Sequence, residues 1–340
     1  MKMLYKKEIM VGIIILVFLI ISLFGVTFIT PDVFGNVTNG TTKTYVNVTN
    51  TEPRVIKLVV WPDPIVLSPG NITVVYCNAT VHDYNGWKDV ANGKWNATFY
   101  DTDYNWNDAN DDNYHYTNAS CQNCTDAGAS DGTNATCSCM FFVQYFANDT
   151  IWQCNFTVAD GGGAYYWNET RKRKSLITHN VTNATVDPLI AIDVPQEIDY
   201  GELAATENSS MIQANLTNFG NIDVNLSIEG WGGDNKTQGQ NLSMICRRAT
   251  DGANLANISI GWERYSIHRS TNFSNMINLT SSPVEIGNFT LEQRTNDSNY
   301  EWGEDLNVTY WRIYIPPGTT GFCNGTLLFS ATPIPGEPGS

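Results

Sequence analysis

In TVVYCNATVH (Thr73–His82), Val75, Cys77, Ala79 and Val81 share one parity, while Asn78 and Thr80 fall on the other. The same alternation returns in WQCNFTVA, where Trp152, Cys154, Phe156 and Val158 coincide, and in KWNATF, where Trp95, Ala97 and Phe99 oppose Asn96 and Thr98. A period of two puts successive side chains on opposite faces of a strand, so each run predicts a strand with one buried face. Further short β-branched runs, VIKLVVWPDPIVL and CMFFVQYFA, are punctuated by Pro, Gly and Asn. Near Leu189 the grammar restarts with LIAIDVPQEIDYGEL and continues through MIQANLTNFGNIDVNLSIEGW, ANISIGWERYSI, VEIGNFTL, LNVTYWRIYIPP and GFCNGTLLFSA. None of these stretches has the three-to-four residue apolar spacing of a helix, so almost no helix is expected outside the N-terminus. The pattern predicts an all-β chain of two tandem β-sandwiches, 54–183 and 184–332, with a flexible Pro- and Gly-rich tail at 333–340.

One segment departs from this. Lys2, Lys6 and Lys7 precede VGIIILVFLIISLFGVTFIT, which carries no charge. An apolar run of ~19 residues spans ~28 Å as a helix, close to the thickness of a bilayer core. Basic residues on its N-terminal side match the positive-inside arrangement. The expectation is a cytoplasmic basic segment (1–10), an uncleaved transmembrane signal anchor (11–29) and an Asn/Thr-rich stalk (30–53). The alternative is secretion after signal cleavage, but no A-x-A cleavage pattern lies between Phe24 and Phe34. Either way, the chain after Pro31 lies outside the cytoplasm.

The formal charge of −15 excludes a nucleic-acid partner, whose phosphates need a basic face. Enzyme signatures are missing as well. His82, His115, His179 and His268 are scattered, and there is no nucleophile elbow, phosphate loop or dinucleotide fingerprint. The expectation is a protein without catalytic residues.

Eight cysteines outside the cytoplasm read as disulfides. Cys77 and Cys154 sit in matching sequences, CNATV and CNFTV, with both sulfurs on the apolar parity. They suit a bridge between two packed sheets. Cys121, Cys124, Cys137 and Cys139 flank a turn-rich segment. A hairpin there sets Cys121 opposite Cys139 and Cys124 opposite Cys137, the one-residue mismatch being absorbed by a bulge. The C-x-x-C and C-x-C spacing also admits a tetrahedral zinc site, against which stand the oxidising compartment and the lack of nearby histidine. Cys246 and Cys323, alone in the second half, pair with each other.

Polar chemistry changes the picture in three places. N-x-[ST] recurs about two dozen times, and Asn36, Asn47, Asn78, Asn96, Asn155, Asn215, Asn225, Asn257, Asn307 and Asn324 are candidate N-glycosylation sites. An outer strand face built of Asn and Thr makes such sequons by geometry alone, yet nothing in patterning favours Asn over Lys or Glu. The acidic stretches HDYNGWKD and YDTDYNWNDANDDNYH place Asp83, Asp101, Asp103 and Asp108 in loops as candidate calcium ligands, with a solvated hairpin loop as the plain alternative. No other cofactor is expected. The basic run Arg171–Lys174 blunts an edge strand, meets an anionic partner or marks a cleavage site. Exposed aromatics at Trp106, Tyr114 and Tyr116 would stack on sugars.

LSPGNITVVYCNATVHDYNGWKDV, NATFYD, DDNYHYTNASC and CMFFVQYFANDTIWQCNFTVAD resemble the immunoglobulin-like ectodomain module of archaeal cell-surface proteins. The second half is similar to the β-sandwich module that follows it there, with a hairpin matched by Asn218, Gly220 and Asn221 and a closing strand by Gly325 and Thr326. The resemblance implies tandem immunoglobulin-like sandwiches and an envelope or adhesion role without catalytic residues. It also implies a Cys121–Cys139 pair in the hairpin, to which Cys124 and Cys137 are additional. Trp152 stands where the immunoglobulin tyrosine corner has Tyr. The expected function is a membrane-anchored, N-glycosylated structural or adhesion protein of the archaeal envelope, in contact with other envelope proteins or glycans. The alternatives are a carbohydrate-binding surface protein and a pilin-like filament subunit, although KKEIMVG lacks the small residue that pilin processing favours.

Overall fold

The computed structural model describes residues 41–46, 48–91, 93–119, 121–160, 178–295 and 305–334. Two compact units are present, 1–49 and 50–340. The first is described only at its C-terminal end, where the chain has neither helix nor strand. The expected anchor helix, the basic run Arg171–Lys174 and the extreme C-terminus lie outside the described residues. Among the described residues no helix is long and apolar enough to cross a membrane.

Among the described residues, alternating sequence becomes four antiparallel sheets. In the first pair, β1 (Arg54–Trp61), β2 (Thr73–His82), β5 (Gln122–Asp126) and β6 (Asn134–Val143) form one sheet in the order β1-β2-β6-β5. Its partner is β4-β3-β7-β8, from β3 (Lys94–Asp101), β4 (His115–Asn118), β7 (Ile151–Ala159) and β8 (Thr178–Thr185). Val75, Cys77, Ala79 and Val81 of β2 face Phe99, Trp152, Cys154, Phe156 and Val158 within one apolar cluster, all essentially without solvent contact. Trp152 stacks on Phe99 with ring centroids 4.9 Å apart. A short helix α1 (Trp87–Ala91) follows β2 and buries Val90. Five residues are too few to display a helical period, which is why the sequence did not reveal it.

The second sandwich packs β15-β14-β17-β10-β9 against β13-β12-β18-β11-β16. The first sheet comprises β9 (Ile192–Asp193), β10 (Ile212–Asn218), β14 (Glu263–Ser266), β15 (Ile277–Asn278) and β17 (Leu306–Ile313). The other has β11 (Val224–Gly232), β12 (Leu242–Arg247), β13 (Asn254–Ser259), β16 (Val284–Leu291) and β18 (Phe322–Pro333). Leu216, Leu226, Tyr265 and Trp311 fill the space between them. The expected long opening strand in LIAIDVPQEIDYGEL is reduced to β9, and the remainder is irregular chain.

All eight cysteines are joined, as Cys77–Cys154, Cys121–Cys139, Cys124–Cys137 and Cys246–Cys323. Cys77–Cys154 ties β2 to β7 across the two sheets, with Cα atoms 6.5 Å apart. A register shift between Gln122 and Thr125 supplies the bulge that lets both β5–β6 bridges form. Cys246 and Cys323 are direct register partners on β12 and β18, so this bridge reinforces one sheet.

The two sandwiches meet at the Asn218–Asn221 turn. Asn221 Nδ2 donates to the carbonyls of Ala147 (2.9 Å) and Asp187 (3.3 Å), and its Oδ1 accepts from Leu189 N (2.6 Å). Phe219 lies edge-on to Tyr145, with centroids 5.7 Å apart. Gln293 Nε2 donates to Phe146 O at 2.8 Å. A Cβ on Gly220 would stand 2.1 Å from Leu189 O, so only glycine admits this approach.

Candidate functional site

Two strands tied by one disulfide deliver carboxylates to the same end of the first sandwich. Asp83 follows Cys77 by six residues, and Asp160 follows Cys154 by six. An even offset preserves parity, so both carboxyls point inward like the cysteines. The matched strands read C-N-x-T-V-x-D in full, Cys77–Asp83 and Cys154–Asp160. Asp83 and Asp160 are 0% and 3% exposed.

Local geometry brings a third carboxylate to them. Asp83 N donates to Thr133 O (2.8 Å), and Asp83 Oδ1 accepts from Asn85 N (2.7 Å), which shapes a turn completed by Gly86 N on Asp83 O. That turn launches α1, which carries half-buried Asp89. The chain leaving α1 then presses on the end of β7. A Cβ on Gly93 would lie 1.9 Å from Ala159 O, next to Asp160. One carboxylate oxygen each from Asp83, Asp89 and Asp160 lies within 4.8 Å of the others. Asp83 Oδ2 and both oxygens of Asp160 are buried without a hydrogen-bond partner. Burial pushes the Asp83 carboxyl above its ordinary value. The Asn85 N–H opposes this, and Asp89 and Asp160 raise it further. His82 Nδ1 is engaged elsewhere, 2.8 Å from Asn134 Oδ1. These three aspartates are the described side chains placed to hold a metal ion.

The expected set Asp83, Asp101, Asp103 and Asp108 does not form one site. Among the described residues the only metal-capable group of three is Asp83, Asp89 and Asp160. Asp101 is buried and spoken for: its Oδ1 accepts from Asp103 N (3.0 Å) and its Oδ2 from Asn148 Nδ2 (2.9 Å). Asp108 Oδ2 accepts from Asn105 N within its own loop (2.9 Å), and Asp103 is exposed. Asp101, Asp103 and Asp108 shape the loop instead. The extended C-N-x-T-V-x-D match was the signal for Asp160, whereas Asp89 depends on α1.

The aromatic loop is also divided. Trp106 is 56% exposed, and Tyr104 stacks on Tyr114 with centroids 3.8 Å apart. Tyr116 is buried instead; its hydroxyl donates to Asp112 O and accepts from Gln144 N (3.0 Å). It belongs to the core because its parity on β4 points inward, toward Trp152. An open groove of about 310 Å³ lies beside it, lined in part by Asn110, Asp112 and Phe142.

Sequon asparagines sort by face. Asn96, Asn215 and Asn257 are exposed, and Asn78 and Asn225 are half-buried. Asn307 Nδ2 donates to Thr290 O (3.2 Å) and Asn324 Nδ2 to Asp234 Oδ1 (3.3 Å). Asn155 departs from expectation. It is buried between its neighbours on β3 and β8, with Oδ1 enclosed and unpaired, so it presents far less of its side chain to solvent than the exposed sequon asparagines. Asn36 and Asn47 fall outside the described residues.

No protein-family model matches the chain, and no curated protein matches it either. Solved structures overlap it only loosely. The CsuC–CsuE chaperone–tip adhesion subunit complex of Acinetobacter baumannii Csu pili aligns at 10% identity and TM-score 0.33, covering 78% of this chain and 96% of that one. A chaperone–tip adhesin complex of CFA/I fimbriae biogenesis aligns at 7% identity and TM-score 0.29, covering 84% and 85%. Red sea bream transglutaminase aligns at 9% identity and TM-score 0.22, covering 84% of this chain and 29% of the enzyme. At these scores the overlaps assign neither family nor function.

Proposed function

We propose that the chain is a membrane-anchored, N-glycosylated structural or adhesion protein displayed on the outer face of an archaeal cell. The observation that carries this reading is the pairing of all eight cysteines in two sandwiches, which needs an oxidising compartment. Sequon asparagines on outer strand faces support it, because Asn96, Asn215 and Asn257 present their side chains to solvent. The charge-free run at the N-terminus provides the anchor, and contacts with neighbouring envelope proteins or glycans provide the adhesive role.

Mass spectrometry of the native, non-reduced protein tests this directly. Expected are four intact disulfides, an uncleaved N-terminus, and glycan mass at Asn96, Asn215 and Asn257 with none at Asn155. A reduced, unglycosylated protein recovered from the cytosol refutes the proposal. A carbohydrate-binding reading rests on Trp106 beside the stacked Tyr104 and Tyr114. It requires glycan binding that is lost in Trp106→Ala.

A further inference from the structure

Isolated carboxylates are not left in a protein interior without partners, because a buried charge is paired, protonated or bound to metal. At the end of the first sandwich, three buried carboxylate oxygens have no hydrogen-bond partner: Asp83 Oδ2, Asp160 Oδ1 and Asp160 Oδ2. Asp89 stands beside them. The salt bridges described between side chains, Lys236–Glu229 and Arg248–Asp251, both lie in the second sandwich.

We propose that Asp83, Asp89 and Asp160 bind one calcium ion. The geometry suits the ion. Calcium–oxygen distances of about 2.3–2.6 Å let ligands on opposite sides of one ion stand roughly 4.6–5.2 Å apart. The carboxylate oxygens lie within 4.8 Å of one another. The donor set is all oxygen, which favours a hard cation over zinc or copper. The Asn85 N–H on Asp83 Oδ1 leaves Oδ2 for the ion. Backbone carbonyls and water complete a shell of six to eight. The ion would bind the end of β2, helix α1 and the end of β7 together, closing the sandwich where the Cys77–Cys154 bridge does not reach. This site is independent of the adhesion reading and of any glycan.

Calorimetric titration of the full-length, calcium-stripped protein in detergent tests the site. One calcium is expected to bind with a sub-millimolar dissociation constant, as extracellular modules do. At a hundred times that concentration, Tm should rise by about 5–10 °C. Asp160→Asn should weaken binding by about tenfold or more, while Asp101→Asn should leave it unchanged. If Asp160→Asn does not fold, Asp89→Asn at the half-buried position carries the same expectation. Absence of binding up to about 10 mM calcium overturns the proposal. Unchanged affinity in both Asp160→Asn and Asp89→Asn overturns it equally.

Discussion

Glu263 is a carboxyl group enclosed in β14, where Tyr200 donates to its Oε1 at 2.8 Å. Burial raises its pKa from 4.5 to about 7, and the Tyr200 hydrogen bond only partly opposes this. The folded protein therefore holds the proton more tightly than the unfolded chain does. That contribution to stability is complete below about pH 4.5 and disappears as pH rises through about 7. Unfolding free energy should fall by about 3 kcal/mol across this window. Glu263→Gln should flatten the slope in denaturant titrations at pH 4.5, 6 and 8; an equal slope in the variant would assign it to other groups. Parity made part of this legible, since Glu263 and Tyr265 share a face in ERYS. The same rule exposes Asp83 and Asp160, two residues beyond the matched valines. What the sequence does not display is the tertiary neighbour: Tyr200 reaches Glu263 from an irregular segment, and Asp89 arrives on a five-residue helix.

At the level of elements, two bridges allow a controlled comparison. Cys77–Cys154 and Cys246–Cys323 both span 77 residues of sequence. In the chain-entropy model each closure is therefore worth the same, about 4.5 kcal/mol. Their native surroundings differ. Cys77 and Cys154 are fully buried between sheets, whereas Cys323 is partly exposed on β18 beside its register partner. Cys77→Ser/Cys154→Ser places two hydroxyls in an apolar core, each costing about 1–3 kcal/mol if unpaired. Cys246 is equally buried, so Cys246→Ser/Cys323→Ser strands one such hydroxyl, and the Cys77→Ser/Cys154→Ser variant should be about 1–3 kcal/mol less stable than it. Both unfolding free energies come from denaturant titration, and equal losses would mean that loop entropy alone decides. The first pairing was readable from parity, the second from Cys246 and Cys323 being the two cysteines of the second half. That one bridge crosses the sandwich while the other stays within a sheet was readable only for the first, whose two strands carry the same inward pattern.

On the scale of the molecule, the alternation of strands locates two sandwiches but does not show how firmly they are joined. Sequence alone leads to the expectation that Cys77→Ser weakens the first sandwich and spares the second. The joint argues otherwise. Asn221 satisfies two carbonyls and one N–H, Gln293 reaches Phe146 O, and Asn113 Nδ2 donates to Arg294 O at 2.8 Å. The Phe219 ring is wedged between Tyr145 and Gly70, where a Cβ would come within 2.6 Å of it. Removing Asn221 strands several polar groups at once, and each buried orphan costs about 1–3 kcal/mol. The wild-type protein should therefore melt in one calorimetric transition, and Asn221→Ala should split it in two. Gly220→Ala, which forces a Cβ against Leu189 O, should act in the same direction. Two separate transitions in the wild type, or a second transition unmoved by Cys77→Ser, would show that the contacts at the joint do not couple the sandwiches.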